Sequence, residues 1–183
     1  MRLPPRRIPL LLAVAVFLTT WSAAVAGARS AGAVRPWVAL RDSGIVKQRL
    51  EFSCGMASLA TVLNRSYGQS LGEPELITGF LAKQPAERKK RIETVGFSLR
   101  DLQQAAAMQK VICKGYQMTL QGLRDAKGPV LLHLVIKGQR HFCVLGSIGE
   151  REILLLDPAR GRVRLPLDRF LKEWTGYCLV FAK

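Results

Sequence analysis

The chain has 183 residues, 49% of them hydrophobic, with 28 Lys and Arg against 13 Asp and Glu for a formal net charge of +15. That length suits one compact domain behind a short N-terminal segment and excludes two ordinary domains. Such a charge seeks anionic company: membrane headgroups, envelope polymers or an acidic polypeptide. Without a recognisable binding module, nucleic acid is set aside as a partner.

Residues 1–26 carry Arg2, Arg6 and Arg7, then an apolar run from Ile8 to Trp21, then small residues. This is the three-part layout of a secretory signal, with Ala24-Val25-Ala26 offering a cut before Gly27. An uncleaved anchor is the alternative, since about 20 apolar residues can span a bilayer. Pro9, Thr19, Thr20 and Ser22 weaken such a span. Cleavage removes three arginines and leaves a charge of +12. The expected location is the periplasm, free or in peripheral contact with the membrane. Residues 27–42 have few apolar anchors beyond Trp37, Val38 and Leu40 and read as a lead-in to one domain over 43–183.

Helical spacing dominates the next stretch. Met56, Leu59, Ala60 and Leu63 fall on one face of a helix that starts after Ser53, a natural N-cap, and stops at Gly68. A second helix is expected from Pro74 to about Lys83, with Leu76, Ile77, Phe80 and Leu81 inward. The basic run "ERKKR" at 87–91 reads as a solvated loop, with an anion-binding patch as the alternative. A third helix is expected from Ser98, where Ser98 and Asp101 form a capping-box-like pair.

From residue 111 the pattern changes. "VICKGYQM", "VLLHLVIK", "HFCVLGS", "EILLLD", "RVRL" and "YCLVFA" are short apolar or β-branched runs separated by Gly, Pro and charge. They read as strands. The brief separations "GQR", "IGER" and "PARG" favour antiparallel pairing. Helices first and an antiparallel sheet second make an α+β domain.

Cys54 opens the first of these helices, where unpaired backbone N–H groups and the positive end of the macrodipole favour a thiolate. Gly55 would let a substrate backbone approach, and Gln48, six residues upstream, could offer an amide to a developing oxyanion. A nucleophile also needs a base, and the chain has two histidines. With Gly138 and Gln139 as the turn of a hairpin, His133 and His141 point to opposite sheet faces. His133 lies inside the apolar run "LLHLV" and reads as a packed residue, whereas His141 opens its strand, where it can reach a cleft. In the next hairpin His141 and Asp157 are symmetric about Gly149, which makes them direct cross-strand neighbours. A carboxylate there would orient the imidazole, although "DPARG" is equally a turn by composition. If Cys54 is a free thiol, at most one disulfide can form among Cys113, Cys143 and Cys178, and Cys143 is expected to pack beside His141. No CxxC spacing exists, so no metal and no cofactor are expected.

The stretches "VKQRLEFSCGMASLATVLNRSYG", "HFCVLGS" and "LLLDPARG", with "FLKEWTG" closing, resemble the bacteriocin-processing, double-glycine-type cysteine peptidases, a papain-like family. The match is ordered and covers nearly the whole mature chain. The resemblance implies helices packed on a C-terminal antiparallel sheet, with Cys54 as nucleophile, His141 as base, Asp157 as its orienter and Gln48 at the oxyanion hole. It is closest in kind to free-standing exported members, since no phosphate-binding loop or membrane bundle is read in the chain. It implies a polypeptide substrate, acidic or glycine-containing, and partners in a secretion system or the envelope. A cell-wall amidase or acyltransferase, and a non-catalytic peptide-binding accessory protein, are the rival readings.

Overall fold

The computed structural model describes residues 36–182; the expected signal segment and most of the lead-in lie outside them. A short helix α1 (Trp37–Asp42) is followed by α2 (Cys54–Tyr67), α3 (Glu73–Ala82), α4 (Ala86–Val95) and α5 (Leu99–Met108). Then come β1 (Cys113–Gln117), α6 (Leu120–Asp125), β2 (Val130–Ile136), β3 (Gln139–Ile148), β4 (Glu152–Asp157), β5 (Gly161–Pro166), α7 (Leu167–Glu173) and β6 (Trp174–Phe181). The six strands form one sheet in the order β1-β6-β2-β3-β4-β5, and every pair is antiparallel. The α+β expectation holds. Among the described residues no helix is long and apolar enough to cross a membrane.

Period-2 alternation of the strands divides the core in two. Leu131, Phe142, Val144 and Leu179 pack with Met56, Leu59, Leu63 and Leu102 of the helices. Their neighbours Leu132, Cys143 and Cys178 turn to the other face, under Leu123 of α6 and Phe170 of α7. α2 is the central helix: every residue from Cys54 to Leu63 is buried. Being apolar or small all round its first half, it can lie between sheet and helices, whereas an amphipathic helix would need one wet face.

The α2, α3 and α5 expectations agree with the structure to within a residue or two, and the capping box is present. Ser98 Oγ accepts the Asp101 N–H at 3.2 Å, and Asp101 Oδ2 accepts the Ser98 N–H at 2.8 Å. Four details differ. "ERKKR" is not loop but part of α4, entered through Pro85 with Glu87 in the first turn. Its single buried residue, Ile92, leaves no apolar stripe to read. Ser53 stands at the N-cap position of α2 without capping it, because its Oγ donates to the Leu50 carbonyl (2.7 Å). The β2–β3 turn is Lys137-Gly138, one residue earlier than expected, since both take positive φ and Ile136 pairs with Gln139. This shifts the register by two, which preserves the faces. His133, paired with Phe142 and packed against its ring, still lies on the sheet face opposite to that of His141.

The fourth difference concerns β3 and β4. Their register passes through a bulge between Leu145 and Ser147, and the hairpin closes with Ile148 opposite Ile153. The centre of symmetry is therefore not Gly149. The last pair of this ladder is Val144 with Leu156, and extending its register by one residue sets Cys143, not His141, opposite Asp157. The turn centres between Glu150 and Arg151, later than expected, and the unpaired residue of the bulge takes back one position of that offset.

Candidate active site

Three elements converge on Cys54. The start of α2 is pressed onto β3 beside His141: Ser58 Oγ donates to the Phe142 carbonyl at 3.1 Å. A Cβ on Gly55 would meet the Leu102 and Phe142 side chains at 3.0–3.2 Å. Gly55 is buried, so its smallness serves close packing of helix on strand and not, as expected, the approach of a substrate.

His141 and Asp157 meet although they are not direct partners. His141 Nε2–H donates to Asp157 Oδ2 at 3.0 Å, a diagonal contact on the face that both share with Cys143. The Nε2 bond leaves Nδ1 for Cys54. Burial alone would lower the His141 pKa, but the hydrogen bond to Asp157, together with Cys54, outweighs it and raises the pKa to about 9. Asp157 is fully buried. Its burial disfavours the carboxylate, yet His141, the Arg160 N–H and the Arg160 charge hold it well below the usual carboxylate range.

The turn reading and the orienter reading of Asp157 are both satisfied, by different oxygens. Oδ1 accepts the backbone N–H groups of Ala159 (2.8 Å) and Arg160 (2.9 Å), building the "DPARG" turn. Oδ2 takes His141 and the Arg160 Nε–H (2.9 Å).

Gln48 reaches the same cleft on the incoming loop. Its backbone N–H donates to the Pro158 carbonyl at 3.1 Å, tying the loop to the Asp157 turn, and Lys47 Nζ repeats the tie on the Ala159 carbonyl at 2.8 Å. Its side-chain Nε2 donates to Leu50 O at 3.2 Å, which identifies the nitrogen end and leaves a second N–H unspent. Sequence reasoning missed two contributors. Glu73, buried at the start of α3, accepts the Arg49 N–H with both carboxylate oxygens at 3.1 Å. Arg160 completes the shell of Asp157. An acid in the first turn of a helix, before Pro74, was the available signal for Glu73, but only the fold brings it to the loop.

His133 is placed otherwise. Its Nδ1 bonds Thr175 Oγ1 at 2.9 Å, and that hydroxyl donates to the His133 carbonyl at 2.9 Å, a closed local pair. Burial and Arg140 lower its pKa. All four cysteines are buried free thiols, and Cys143 is wholly enclosed beneath the pair.

The cleft has two lobes that meet at Cys54. One, of about 320 Å³, is lined by Phe52, Gly96, Phe97 and Phe142 among others. The larger, of about 610 Å³, is lined by Gln48, His141, Ala159 and Arg160. An enclosed thiol, a basic imidazole with a carboxylate behind it and a free amide N–H equip this cleft for acyl transfer.

The comparisons with known proteins agree. Residues 42–183 match the model of the peptidase C39 family. "Probable functional amyloid protease FapD" of Pseudomonas aeruginosa is 35% identical over 142 residues, 78% of this chain and 61% of that protein. The chain thus spans about three fifths of the FapD relative. The lactococcin-G-processing and transport ATP-binding protein LagD of Lactococcus lactis is 30% identical over 144 residues, covering 76% of this chain and 18% of LagD. Among solved structures, a double glycine motif protease from an AMS/PCAT transporter in complex with the leader peptide is 26% identical, with a TM-score of 0.53 over 75% of this chain and 89% of that one. The Streptococcus ComA peptidase domain has the same fold, with a TM-score of 0.62, 22% identity and coverage of 75% and 96%. This chain belongs to the peptidase C39 family of papain-like cysteine peptidases.

Proposed function

We propose that the chain is an exported peptidase that cuts a co-exported polypeptide at Cys54. Residues 1–26 act as its signal, 27–42 as a lead-in, and 43–183 as the catalytic domain. The observation that carries the reading is the convergence of Cys54, His141 and Gln48 in one cleft, with Asp157 buried behind His141 and hydrogen-bonded to it. His141 takes the thiol proton, and its raised pKa makes it the stronger base for that task. The sulfur attacks the peptide carbonyl carbon while the second Gln48 Nε2–H and a backbone N–H at the start of α2 hold the oxyanion. As the C–N bond breaks, His141 returns the proton to the leaving amine, and water then hydrolyses the thioester.

The protease relative named for functional amyloid and the processing relative named for lactococcin G both support an exported polypeptide as substrate. The test is to co-express the chain, wild type or Cys54→Ala, with exported proteins encoded beside it and to weigh them. A mass loss that requires Cys54 is the expected result. Unchanged masses with a Cys54-dependent release of cell-wall stem peptides would replace the peptidase reading with the amidase one.

A further inference from the structure

The two lobes of the cleft differ in charge, and the chemistry assigns each to one side of the scissile bond. This step rests on the peptidase reading above. When the C–N bond breaks, the amine must receive its proton from His141, so the part of the substrate that leaves first passes that imidazole. His141 and Gln48 line the larger lobe, and neither lines the smaller. The segment C-terminal to the cut therefore occupies the larger lobe, and the acyl part, held on Cys54 as the thioester, occupies the smaller.

Four cationic side chains line the larger lobe, Lys137, Arg140, Arg160 and Arg169, against one acid, Glu51. Two of the four are neutralised: Arg160 by Asp157 (2.8 Å) and Arg169 by Glu173 (3.1 Å). Among the described residues, Lys137 and Arg140 face no carboxylate at ion-pair distance. Arg140 lines both lobes, and its guanidinium donates to the carbonyl of Val95, a residue of the smaller lobe, so its charge stands at the border between the two. Lys137 is exposed on the β2–β3 turn at φ 50°, held out at the mouth of the lobe. The smaller lobe has the opposite balance, with Glu51 and Glu93 set against Arg140 among aromatic side chains.

We infer that the larger lobe is an acidic-residue subsite: the protein cuts ahead of a segment carrying Asp or Glu within its first few residues, with Lys137 as the recognising charge and Arg140 at the border of the two lobes. Each exposed pair is a modest contact, so the preference is a matter of several-fold selection and not an absolute requirement.

The purified full chain is incubated with a proteome-derived peptide library, Cys54→Ala serving as control, and the new N-termini are read by mass spectrometry. Wild type should enrich Asp and Glu about threefold or more over the first three positions after the cut. That enrichment should fall towards unity in about 0.5 M salt, where exposed charges are screened. Lys137→Glu, an exposed turn substitution, should remove or invert the acidic enrichment while the preference before the cut persists. Cys54-dependent cutting with no acidic enrichment, or enrichment that survives both salt and Lys137→Glu, overturns the subsite and leaves the peptidase reading standing. Absence of any Cys54-dependent cut overturns both.

Discussion

Asp157 is asked for two things at once, and its two oxygens divide them. Oδ1 accepts two backbone N–H groups of its own turn and Oδ2 faces His141 and Arg160. An asparagine there can satisfy only one side. With its oxygen towards the turn, its NH₂ confronts His141 Nε2 and the Arg160 guanidinium, which pushes the imidazole proton to Nδ1, the nitrogen that Cys54 needs. Asp157→Asn should therefore lower turnover by orders of magnitude, up to the roughly 10⁴-fold loss seen when the orienting carboxylate of a triad is replaced by an amide. It should also cost some thermal stability, because the Arg160 pair is lost. Turnover and melting temperature measured together test this, and full activity would contradict it. The same variant removes the chief group that raises His141, leaving burial to lower the pKa from about 9. The alkaline limb of the pH–rate profile should move to lower pH.

The His141–Asp157 contact was legible in the sequence although its derivation was not sound. Counting residues symmetrically about Gly149 misplaced the turn, which centres between Glu150 and Arg151; the bulge near Gly146 takes back one residue of that error, and extending the register past Val144–Leu156 sets Cys143, not His141, opposite Asp157. A diagonal neighbour on the same face is still within reach of an imidazole, so the pairing survived the error. The choice between histidines survived for a firmer reason: a register error of two keeps every side chain on its face, whereas an error of one would exchange them. His133→Ala should leave turnover within a few-fold and cost stability through the lost Thr175 and Phe142 contacts, while His141→Ala should abolish turnover. Assays of the two purified variants separate the outcomes, and the reverse pattern would contradict the assignment.

At the scale of elements, the site depends on loops being tied to one another. The loop that carries Gln48 is held at two successive residues: the Gln48 N–H goes to Pro158 of the Asp157 turn, and the Arg49 N–H goes to Glu73 of α3. Glu73→Ala leaves the Arg49 N–H without its charged acceptor and should destabilise the fold by about 1.5–3 kcal/mol. Turnover should fall towards that of Gln48→Ala, for which loss of one oxyanion donor predicts a decrease of about 10² to 10³. Glu73→Gln retains an acceptor oxygen and should recover much of both. Equal activity in Glu73→Ala and wild type would show that the loop keeps its shape unaided. None of this was visible in the sequence, because Glu73 and Arg49 are 24 residues apart with a whole helix between them. α4 was missed for the converse reason. It is polar on nearly every face, and its attachment runs through Arg88 to the buried Asp101 of α5, a contact that no periodicity reveals.

For the whole molecule, the ionisation of the site sets a pH window for stability. His141 is raised from 6.5 to about 9, so its contribution is complete below about pH 6.5 and is lost as pH rises through about 9. Asp157 and Asp101 are depressed below 3.8, so theirs is complete above about pH 4 and is lost on acidification through their folded values. Cys113 and Cys178, raised by burial to about 11, add to the alkaline loss once the unfolded thiols ionise near 9.0. The melting temperature should be highest between about pH 4 and 6.5 and decline on both sides. A maximum above pH 8 would contradict the charge assignments. The architecture itself was readable from the change of period near residue 111, because apolar repeats of 3.6 and 2 are imposed by burial on one face. The added helices α6 and α7 were not, being too short to establish a repeat.

The central claim is that Cys54 is a nucleophile served by His141, and its four-cysteine setting provides the direct measurement. Exposure scarcely separates the thiols: Cys54 is 7% exposed and Cys113 5%. Burial pushes Cys113, Cys143 and Cys178 up, leaving them as neutral thiols at pH 7. Rates of alkylation by iodoacetamide near pH 7 can be followed at each cysteine by mass spectrometry, in wild type and in His141→Ala. Modification of Cys54 well ahead of the other three, with that lead lost in His141→Ala, is the predicted result. Equal rates at all four cysteines, or a Cys54 lead indifferent to His141, would contradict it.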